Sequence, residues 1–354
     1  MAAKSISARM VLWWYWAADY AQVFESLVRD AAMKKLLILG GTVFLGRHVL
    51  DAALAAGCEV TLLNRGTHDV QFAQAVEQLR GDRDGDLSAL KGRAFDAVVD
   101  CSGYTPAQLQ RSCDALRDQV AHYVFVSTIS VYARFAPGCA YDETADVTTA
   151  VDGYGGAKAR AEDVIAKAMP GRFATVRPGL IVGPFDPSGR FTYWPSRLNR
   201  GGTVLAPGRP DRPVQFIDVR DLAQWCVHLA LQRTPGVFHA VGTSGSMAQA
   251  LQACQSASAS IAELVWCDDA ALVRAQVAPW TGLPLWIPEA DPDFGGMLLG
   301  SGQRAVEAGL QTRPWGHTAR DTLAWAEEVG AAAHSAAALT PEAEATILRN
   351  CCHT

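Results

Sequence analysis

A glycine-rich turn between two kinds of apolar pattern is the feature that most constrains the fold of this chain. Residues 36–39 form a short apolar run typical of a buried strand, and from Leu45 to Ala56 the apolar residues follow helical spacing. Between them lies Gly40-Gly41-Thr42-Val43-Phe44-Leu45-Gly46. A strand, a glycine-rich turn and a helix in this order predict a backbone that approaches a pyrophosphate closely at the amino end of the helix, as in dinucleotide-binding proteins.

The same alternation of strand and helix continues along the chain. After the first strand and helix, the pattern predicts strands at 59–63, 77–81, 95–100, 123–127, 173–177 and 236–241, and helices at 106–118 and 153–168. Such alternation is typical of βαβ units and a parallel sheet. The expected fold class is α/β, a Rossmann-type doubly wound parallel sheet with a smaller C-terminal substrate lobe.

Changes in composition and in apolar pattern divide the chain into four parts. Residues 1–32 precede the first strand and are expected to be an N-terminal extension, and residues 33–184 are expected to form the NAD(P)-binding core with the catalytic residues. Glycine and proline then become frequent, so the substrate lobe is placed at 185–330. The strand expected at 236–241 means that the two parts interleave. Residues 331–354 are expected to be a tail.

The composition excludes several classes of protein. With 354 residues the chain is long enough for two lobes with a buried core. Its net charge of −5, without a basic tract, disfavours nucleic acid as a partner and leaves a small molecule as the expected one. No apolar run reaches the ~18–20 residues that cross a membrane, so no membrane partner is expected.

Cysteine usage bears on the compartment. Nine cysteines at irregular spacings argue against a disulfide framework and for a reducing compartment, so the expected location is the cytoplasm. Neither a CxxC nor an HxxxH pair occurs, and no metal site is predicted.

The ends of the second and third strands indicate which dinucleotide is bound. The acidic residue that would bind an adenine-ribose hydroxyl is replaced by Asn64-Arg65-Gly66. Because Arg65 can pair with a 2′-phosphate, NADP(H) is favoured over NAD(H), the alternative being a solvated loop arginine. Asp82 and Arg83 are placed to contact adenine, although Asp82 could equally cap a turn.

A tyrosine and a lysine four residues apart carry the expected chemistry. Tyr154 and Lys158 fall on one face of the helix at 153–168, and Thr128 stands at the end of the fifth strand. A phenol with a pKa of about 10 is a poor base at neutral pH, so a nearby ammonium and a positive nicotinamide ring would have to lower that pKa. Thr128 would then hold the substrate oxygen that gains or loses the proton.

With these motifs the chain resembles the short-chain dehydrogenase/reductase superfamily, in its extended or atypical branch of epimerase/dehydratase-like proteins. The resemblance runs from Met33 to about Val329. Besides the glycine turn and Tyr154 to Lys158, the matching stretches are Val126-Ser-Thr-Ile-Ser-Val-Tyr132, Arg177-Pro-Gly-Leu-Ile-Val-Gly-Pro184 and Phe216-Ile-Asp-Val-Arg-Asp221.

The resemblance assigns roles to particular residues. Thr128, Tyr154 and Lys158 take the family's catalytic positions, and Asp218 to Asp221 would tie the substrate lobe to the core. The expected cofactor contacts are Gly40, Thr42, Phe44, Leu45, Gly46, Asn64, Arg65, Asp82, Arg83, Cys101, Lys158 and Pro178.

Two departures qualify the resemblance. Val43 replaces the middle glycine of the turn, as in a subgroup labelled isoflavone-reductase-like, sugar epimerase or dehydratase, and chloroplast RNA-binding protein. The loop after the fourth strand, residues 100–103, lacks the asparagine that completes a proton relay in many relatives.

The loop after Thr128 narrows the reaction. Relatives that are 4,6-dehydratases carry Asp-Glu after the threonine as an extra acid and base, whereas Ile129 and Ser130 stand here, so a 4,6-dehydratase is disfavoured. Hydride transfer at a hydroxyl or carbonyl carbon remains, either as net redox or as transient oxidation in an epimerase. Glu143, in a nearby loop, is either a further acid or a solvated carboxylate.

The substrate itself is not identified by any motif; a sugar nucleotide and an aromatic ketone are both candidates. The residues proposed to contact it are Phe191, Tyr193, Trp194 and Arg197, whose alternative role is to pack the smaller lobe. A homodimer is the candidate assembly. The rival interpretation is a dinucleotide-binding sensor or RNA-binding scaffold with reduced catalysis.

Overall fold

The computed structural model describes residues 33–67, 72, 76–330 and 338–351. The N-terminal extension expected at residues 1–32 lies outside them. The strands are β1 Lys35–Leu39, β2 Glu59–Asn64, β3 Glu77–Arg80, β4 Phe95–Asp100, β5 Val120–Val126, β6 Phe173–Pro178, β7 Ile181–Val182, β8 Gly202–Pro207, β9 Pro213–Gln215, β10 Ile217–Asp218, β11 Gly236–Ala240, β12 Ser244–Ser246 and β13 Ala262–Cys267.

The helices alternate with these strands through the first half of the chain. They are α1 Phe44–Ala55, α2 Pro106–Leu116, α3 Gly153–Ala168, α4 Tyr193–Asn199, α5 Val219–Gln232, α6 Met247–Ala257, α7 Asp269–Arg274, α8 Gln303–Glu307, α9 Trp315–Val329 and α10 Pro341–Cys351. Short 3₁₀ turns cover Ser88–Leu90 and Ile129–Val131.

Seven parallel strands form the central sheet, in the order β11-β6-β5-β4-β1-β2-β3. The order reverses at β1, which lies between β4 and β2, so the carboxyl ends of β1 and β4 flank the switch point where α/β sheets bind ligands. Helices α1 and α5 pack together on one face, and α2 and α3 on the other. The predicted doubly wound α/β fold is confirmed.

Local sequence explains where the elements begin and end. The side chains of Leu36 to Leu39 are buried on both faces of the sheet, as a central parallel strand requires. Helix α2 begins with a capping box in which the Thr105 hydroxyl accepts from the Gln108 amide, and Pro106 occupies the first turn. β5 starts at Val120, three residues before the predicted position, because the backbone pairing with β4 extends to Phe95.

The smaller lobe is built from short two-stranded pairs and helices. β8 pairs with β13 in parallel and β9 with β12 in antiparallel, while α4, α6 and α9 pack together beside them. β11 returns to the central sheet beside β6, so the chain crosses between the two parts of the molecule more than once.

Two aspartates at the start of helix α5, which packs on the central sheet, hold helix α9 and the residues just before it. Asp218 accepts a hydrogen bond of 2.7 Å from the Thr318 hydroxyl, and Asp221 accepts one of 2.7 Å from Arg313. Helix α10, in the part predicted to be a tail, places the carboxylate of Glu344 in the interior, with 4% of the residue exposed.

Two further findings concern cysteines and membranes. Cys267 is disulfide-bonded, which the irregular cysteine spacing did not predict. None of the helices in the described part of the chain combines the length and apolar character that crossing a bilayer requires.

Candidate active site

A cavity of about 740 Å³ opens at the carboxyl ends of the central strands. Such a volume falls within the ~300–1,000 Å³ that small-molecule sites commonly have. The sequence-predicted residues that line it are Gly40, Thr42, Phe44, Leu45, Gly46, Asn64, Arg65, Asp82, Arg83, Cys101, Thr128, Tyr154, Lys158 and Pro178. The structure therefore brings the proposed cofactor and catalytic residues to one place.

The glycine turn makes a close backbone approach that only glycine allows. Gly40 has a φ of +87°, and a Cβ on Gly46 would lie 1.9 Å from the Gly40 carbonyl oxygen. Helix α1 begins immediately after Val43 with no side-chain cap, so its first amides have no partner from a capping side chain. This cradle fits a pyrophosphate.

Two arginines flank the turn after β2. Asn64 accepts a hydrogen bond of 2.9 Å from the Gly66 amide, while its buried side-chain nitrogen has no partner. The Arg80 guanidinium lies against Gly66, with its carbon atom 3.2 Å from where a Cβ would stand. Among the described residues, neither Arg65 nor Arg80 has an ion-pair partner.

Arg83 forms a buried ion pair with Asp100. Its guanidinium donates two hydrogen bonds to Asp100, of 2.6 and 2.7 Å, and the Tyr123 hydroxyl donates another of 2.7 Å to the same carboxylate. Burial alone would raise the pKa of Asp100, but the Arg83 charge and these hydrogen bonds outweigh it and lower the pKa. The Arg83 pair thus holds the loop after β4, while Asp82 accepts from the Asp84 amide and caps a turn.

Lys158 lies beneath the cavity with 3% of the residue exposed. Its ammonium donates hydrogen bonds of 2.6 Å to the carbonyl oxygens of Gly103 and Val126 and lies 4.2 Å from the centre of the Phe125 ring. Burial lowers the pKa of Lys158 to about 8, against the raising effects of Asp100 and Glu162.

Tyr154 precedes Lys158 by one helical turn and is 52% exposed toward the cavity that both residues line. Burial of its hydroxyl raises the pKa of Tyr154, and a hydrogen bond with Thr128 opposes that rise. Thr128 caps the turn at Ile129–Val131, where its hydroxyl accepts from the Ser130 amide at 3.1 Å. The Ile129 side chain is buried, so this loop supplies neither a second carboxylic acid nor a base.

A buried cluster behind the catalytic helix was not found from the sequence. Glu162, one turn after Lys158, receives three hydrogen bonds from Arg177 of 3.0, 3.2 and 2.6 Å and one from Ser127 of 2.5 Å. Its role is to fasten α3 to β6 and to the residue before Thr128. Glu143 accepts from the His239 amide at 2.7 Å and so serves as an anchor of β11.

The four residues proposed to contact substrate do not line the cavity. Phe191, Tyr193 and Trp194 are buried in the core of the smaller lobe, and the Trp194 indole donates to the Pro284 carbonyl at 2.8 Å. Arg197 pairs with Glu344 at 2.6 Å. That expectation was wrong because these side chains, three from helix α4 and Phe191 from the segment before it, are buried inside the lobe, as the packing alternative anticipated. Three residues that the sequence did not single out, Arg190, Trp280 and Met297, line the cavity instead.

Comparison with families of known proteins gives a match to the model of the NAD dependent epimerase/dehydratase family over residues 36–240. A curated relative, the chloroplast stem-loop binding protein of 41 kDa b from Arabidopsis thaliana, is 27% identical over 215 residues. That alignment covers 55% of this chain and 55% of the relative, so the chain spans about half the length of that protein.

Solved structures resemble the fold over more than four fifths of this chain. The Bordetella bronchiseptica enzyme WbmH, solved with NAD⁺, has a TM-score of 0.62 at 18% identity, covering 84% of this chain and 100% of its own. The UDP-glucose 4-epimerase of Thermus thermophilus, solved with NAD, has a TM-score of 0.60 at 19% identity, with coverages of 84% and 100%. Human epimerase family protein SDR39U1, solved with NADPH, gives 0.56 at 19%, with coverages of 82% and 99%. At these identities the likeness concerns the fold.

Proposed function

Because the chain belongs to the NAD dependent epimerase/dehydratase family, we propose that it binds a nicotinamide dinucleotide and moves a hydride to or from a carbon that bears a hydroxyl or carbonyl group. One observation carries the proposal: a single cavity joins the glycine cradle to Thr128, Tyr154 and Lys158. A bound phosphate group at one end and an acid/base phenol at the other are what a dinucleotide-dependent oxidoreductase requires.

The residues that would hold the cofactor follow from the lining of the cavity. The glycine turn and the first amides of α1 fit the pyrophosphate, and the nicotinamide would lie against the segment from Pro178 to Ile181, which lines the same cavity as Tyr154 and Lys158. The bound dinucleotide supplies hydride chemistry and a positive ring in its oxidised form. Lys158 would bind the ribose next to that ring.

The chain's own residues handle the proton. When a hydroxyl carbon is oxidised, Tyr154 takes the hydroxyl proton as the hydride leaves the carbon, and in the reverse direction it returns the proton to the carbonyl oxygen. Thr128 donates or accepts a hydrogen bond at the same oxygen. Because burial raises the pKa of Tyr154, this role depends on positive charge near the phenol, and the groups proposed to supply it are Lys158 and the oxidised nicotinamide ring.

Two reaction types are compatible with these three residues. Net reduction or oxidation and epimerisation through a transient ketone use the same three residues. A 4,6-dehydratase is disfavoured, since Ile129 and Ser130 occupy the positions where that elimination needs an acid and a base.

NADP(H) is the proposed cofactor in preference to NAD(H). Support comes from two arginines without an ion-pair partner among the described residues: Arg65 lies in the turn after β2, and Arg80 lies against Gly66 of that turn. The phosphate on the adenine ribose would fall near this turn, and arginine pairs well with phosphate.

Titration with NADPH and NADH, followed by fluorescence, tests the central proposal, which fails if neither binds below about millimolar concentration. The variant Tyr154→Phe should then bind the cofactor with unchanged affinity but lose turnover by at least about 100-fold, because general acid/base catalysis typically contributes that much. Unchanged turnover in Tyr154→Phe would place the proton transfer elsewhere.

The alternative is a dinucleotide-binding scaffold that binds RNA, which the name of the Arabidopsis relative suggests. The net charge of −5 and the presence of Thr128, Tyr154 and Lys158 together in the cavity favour the enzyme. An RNA stem-loop that binds with submicromolar affinity at physiological salt would support the scaffold instead.

A further inference from the structure

The cavity has a second end, on the side of the smaller lobe, that the cofactor proposal leaves unassigned. Its wall comes from the loop after β7 and from the smaller lobe, where Arg190, Trp280 and Met297 line it. Met297 packs both against the lobe core and against the cluster that contains Ile129, the residue after Thr128. This end of the cavity therefore adjoins the catalytic loop.

A short chain of hydrogen bonds orients Arg190. The buried carboxylate of Asp186 accepts from the amide and the hydroxyl of Ser188, at 2.9 and 2.8 Å. The Ser188 hydroxyl in turn accepts from Nε of Arg190 at 3.0 Å. Both oxygens of Asp186 are thus occupied by Ser188, and in the part of the chain that the structure describes no carboxylate lies within ion-pair distance of Arg190.

Trp280 supports the same guanidinium from its other side. The Arg190 guanidinium carbon lies 5.5 Å from the centre of the Trp280 ring, within cation–π distance. Trp280 has a φ of +65°, a conformation that residues other than glycine rarely adopt. A hydrogen bond of 2.7 Å from its amide to the carbonyl of the buried Trp286 holds it there. The chain thus presents a large, half-buried indole to the cavity at the expense of backbone strain.

We propose that Arg190 and Trp280 form the recognition site for the substrate, and that the substrate is an anion with a flat body: a carboxylate or phosphate that pairs with the guanidinium, on a ring that packs against the indole. The proposal rests on the proposed function. An arginine held at Nε and by stacking keeps its two terminal nitrogens, the fork that matches an oxyanion, available without losing further side-chain freedom.

Binding of small probes to the protein saturated with NADP⁺ tests this site by calorimetry. Benzoate and phenyl phosphate carry the two anionic groups on the same ring, and benzamide is the neutral match. We expect the wild-type protein to bind at least one anion about tenfold or more tightly than benzamide, since hydrogen bonds to charged groups contribute at least that factor. The stronger anion identifies the group.

Two variants and a control decide the roles. Arg190→Gln should remove the preference for the anion and leave benzamide binding unchanged, whereas Trp280→Leu should weaken all three probes. Arg209→Gln, in an exposed arginine of the same lobe that pairs with Glu289 outside this cavity, should leave every affinity unchanged. Thermal melting confirms that each variant is folded.

Three results would overturn the inference: no preference for an anion in the wild type, a preference that persists in Arg190→Gln, or a loss of NADP⁺ affinity in Arg190→Gln, which would assign the arginine to the cofactor. Failure of the proposed function is a separate result, the absence of dinucleotide binding. In that case the same probe titrations on the cofactor-free protein still decide whether Arg190 selects anions.

Discussion

Arg65 lies in the turn after β2, Arg80 lies against Gly66 of that turn, and no carboxylate in the described structure pairs with either arginine. The neighbouring Arg83, which the sequence also placed near adenine, is paired with Asp100, and Arg93 pairs with Glu77. If the bound dinucleotide is NADP(H), as proposed, the guanidinium groups of Arg65 and Arg80, beside a turn that lines the cavity, would pair with its 2′-phosphate.

Replacing Arg65 by Ala should weaken NADPH binding by roughly 10- to 100-fold and NADH binding by less than about threefold, since a charged hydrogen bond is lost only with the 2′-phosphate. Fluorescence titration with both cofactors measures the two affinities. Arg93→Ala is the control, an arginine that precedes β4, pairs with Glu77 and does not line the cavity. Equal weakening of NADPH and NADH by Arg65→Ala would refute the phosphate contact.

Lys158 links catalysis to stability through its protonation. Burial lowers the pKa of Lys158 to about 8, below the ordinary value of 10.5. Below pH 8 the lysine is charged in both the folded and the unfolded protein. The folded protein then bears the whole free-energy cost of burying the charged ammonium. Between the two pKa values the unfolded chain binds the proton that the folded protein has released, so the destabilisation diminishes as the pH rises.

The variant Lys158→Met removes this dependence. The free energy of unfolding of the wild type, relative to Lys158→Met, should therefore rise by about 2 kcal/mol at most between pH 7 and pH 9.5. Urea denaturation at the two pH values measures it. Lys167→Met, an exposed lysine on the same helix, should show no such change relative to the wild type. A pH-independent difference for Lys158→Met would mean that Lys158 titrates normally.

The docking of helix α3 on the catalytic loop depends on a glycine. A Cβ on Gly155 would lie 2.0 Å from the carbonyl oxygen of Ser130, a backbone atom that cannot move aside cheaply. The helix and the 3₁₀ turn that Thr128 caps therefore touch backbone to backbone. This contact fixes the distance between Thr128 and Tyr154.

Gly155→Ala should push α3 away from the loop and lower kcat by at least about tenfold, because misplacing a catalytic group by about 1 Å can cost up to 100-fold. Cofactor affinity should fall by a smaller factor than kcat, since the glycine turn is untouched and only Lys158, the residue proposed to bind the nicotinamide ribose, moves with α3. Gly316→Ala, at a glycine near the start of helix α9 with nothing within 4 Å of its Cβ position, is the matched control. Normal kcat in Gly155→Ala would show that the contact is not required.

Features that depend on residues close together in the chain could be predicted from the sequence, whereas features that depend on contacts between distant residues could not. The strands and the helix carrying Tyr154 and Lys158 are encoded by local periodicity, and the lining of the cavity confirms that these two residues and Thr128 face one space. Trp280 was missed because it reaches the cavity from a loop more than a hundred residues further along the chain, where no periodic pattern exists. The aromatic residues of α4 were misplaced because an aromatic cluster has the same composition whether it lines a site or fills a core.

The stability of the smaller lobe depends on contacts between distant parts of the chain. Helix α10 binds to the smaller lobe through Glu344. Its carboxylate accepts hydrogen bonds from Nε of Arg197 at 2.6 Å and from the Leu205 amide at 3.0 Å. The same guanidinium donates to the carbonyl oxygens of Gly201 and Thr203. Sequence spacing could not reveal an ion pair between residues 147 positions apart.

Removing one partner of such a buried pair leaves an uncompensated charge. Glu344→Ala should therefore lower the free energy of unfolding by about 3–5 kcal/mol, measured by urea denaturation. Glu342→Ala, an exposed position two residues earlier in the same helix, should cost less than about 1 kcal/mol.

A double variant separates charge from packing. Arg197→Met combined with Glu344→Leu should recover part of the loss, because apolar side chains of similar volume often replace a buried pair without penalty. Dinucleotide affinity of folded Glu344→Ala should equal that of the wild type, since neither Arg197 nor Glu344 lines the cavity. If Glu344→Ala is as stable as Glu342→Ala, helix α10 does not hold the lobe together. If it loses dinucleotide affinity while folded, the smaller lobe shapes the cofactor end of the cavity as well as the end that Trp280 lines.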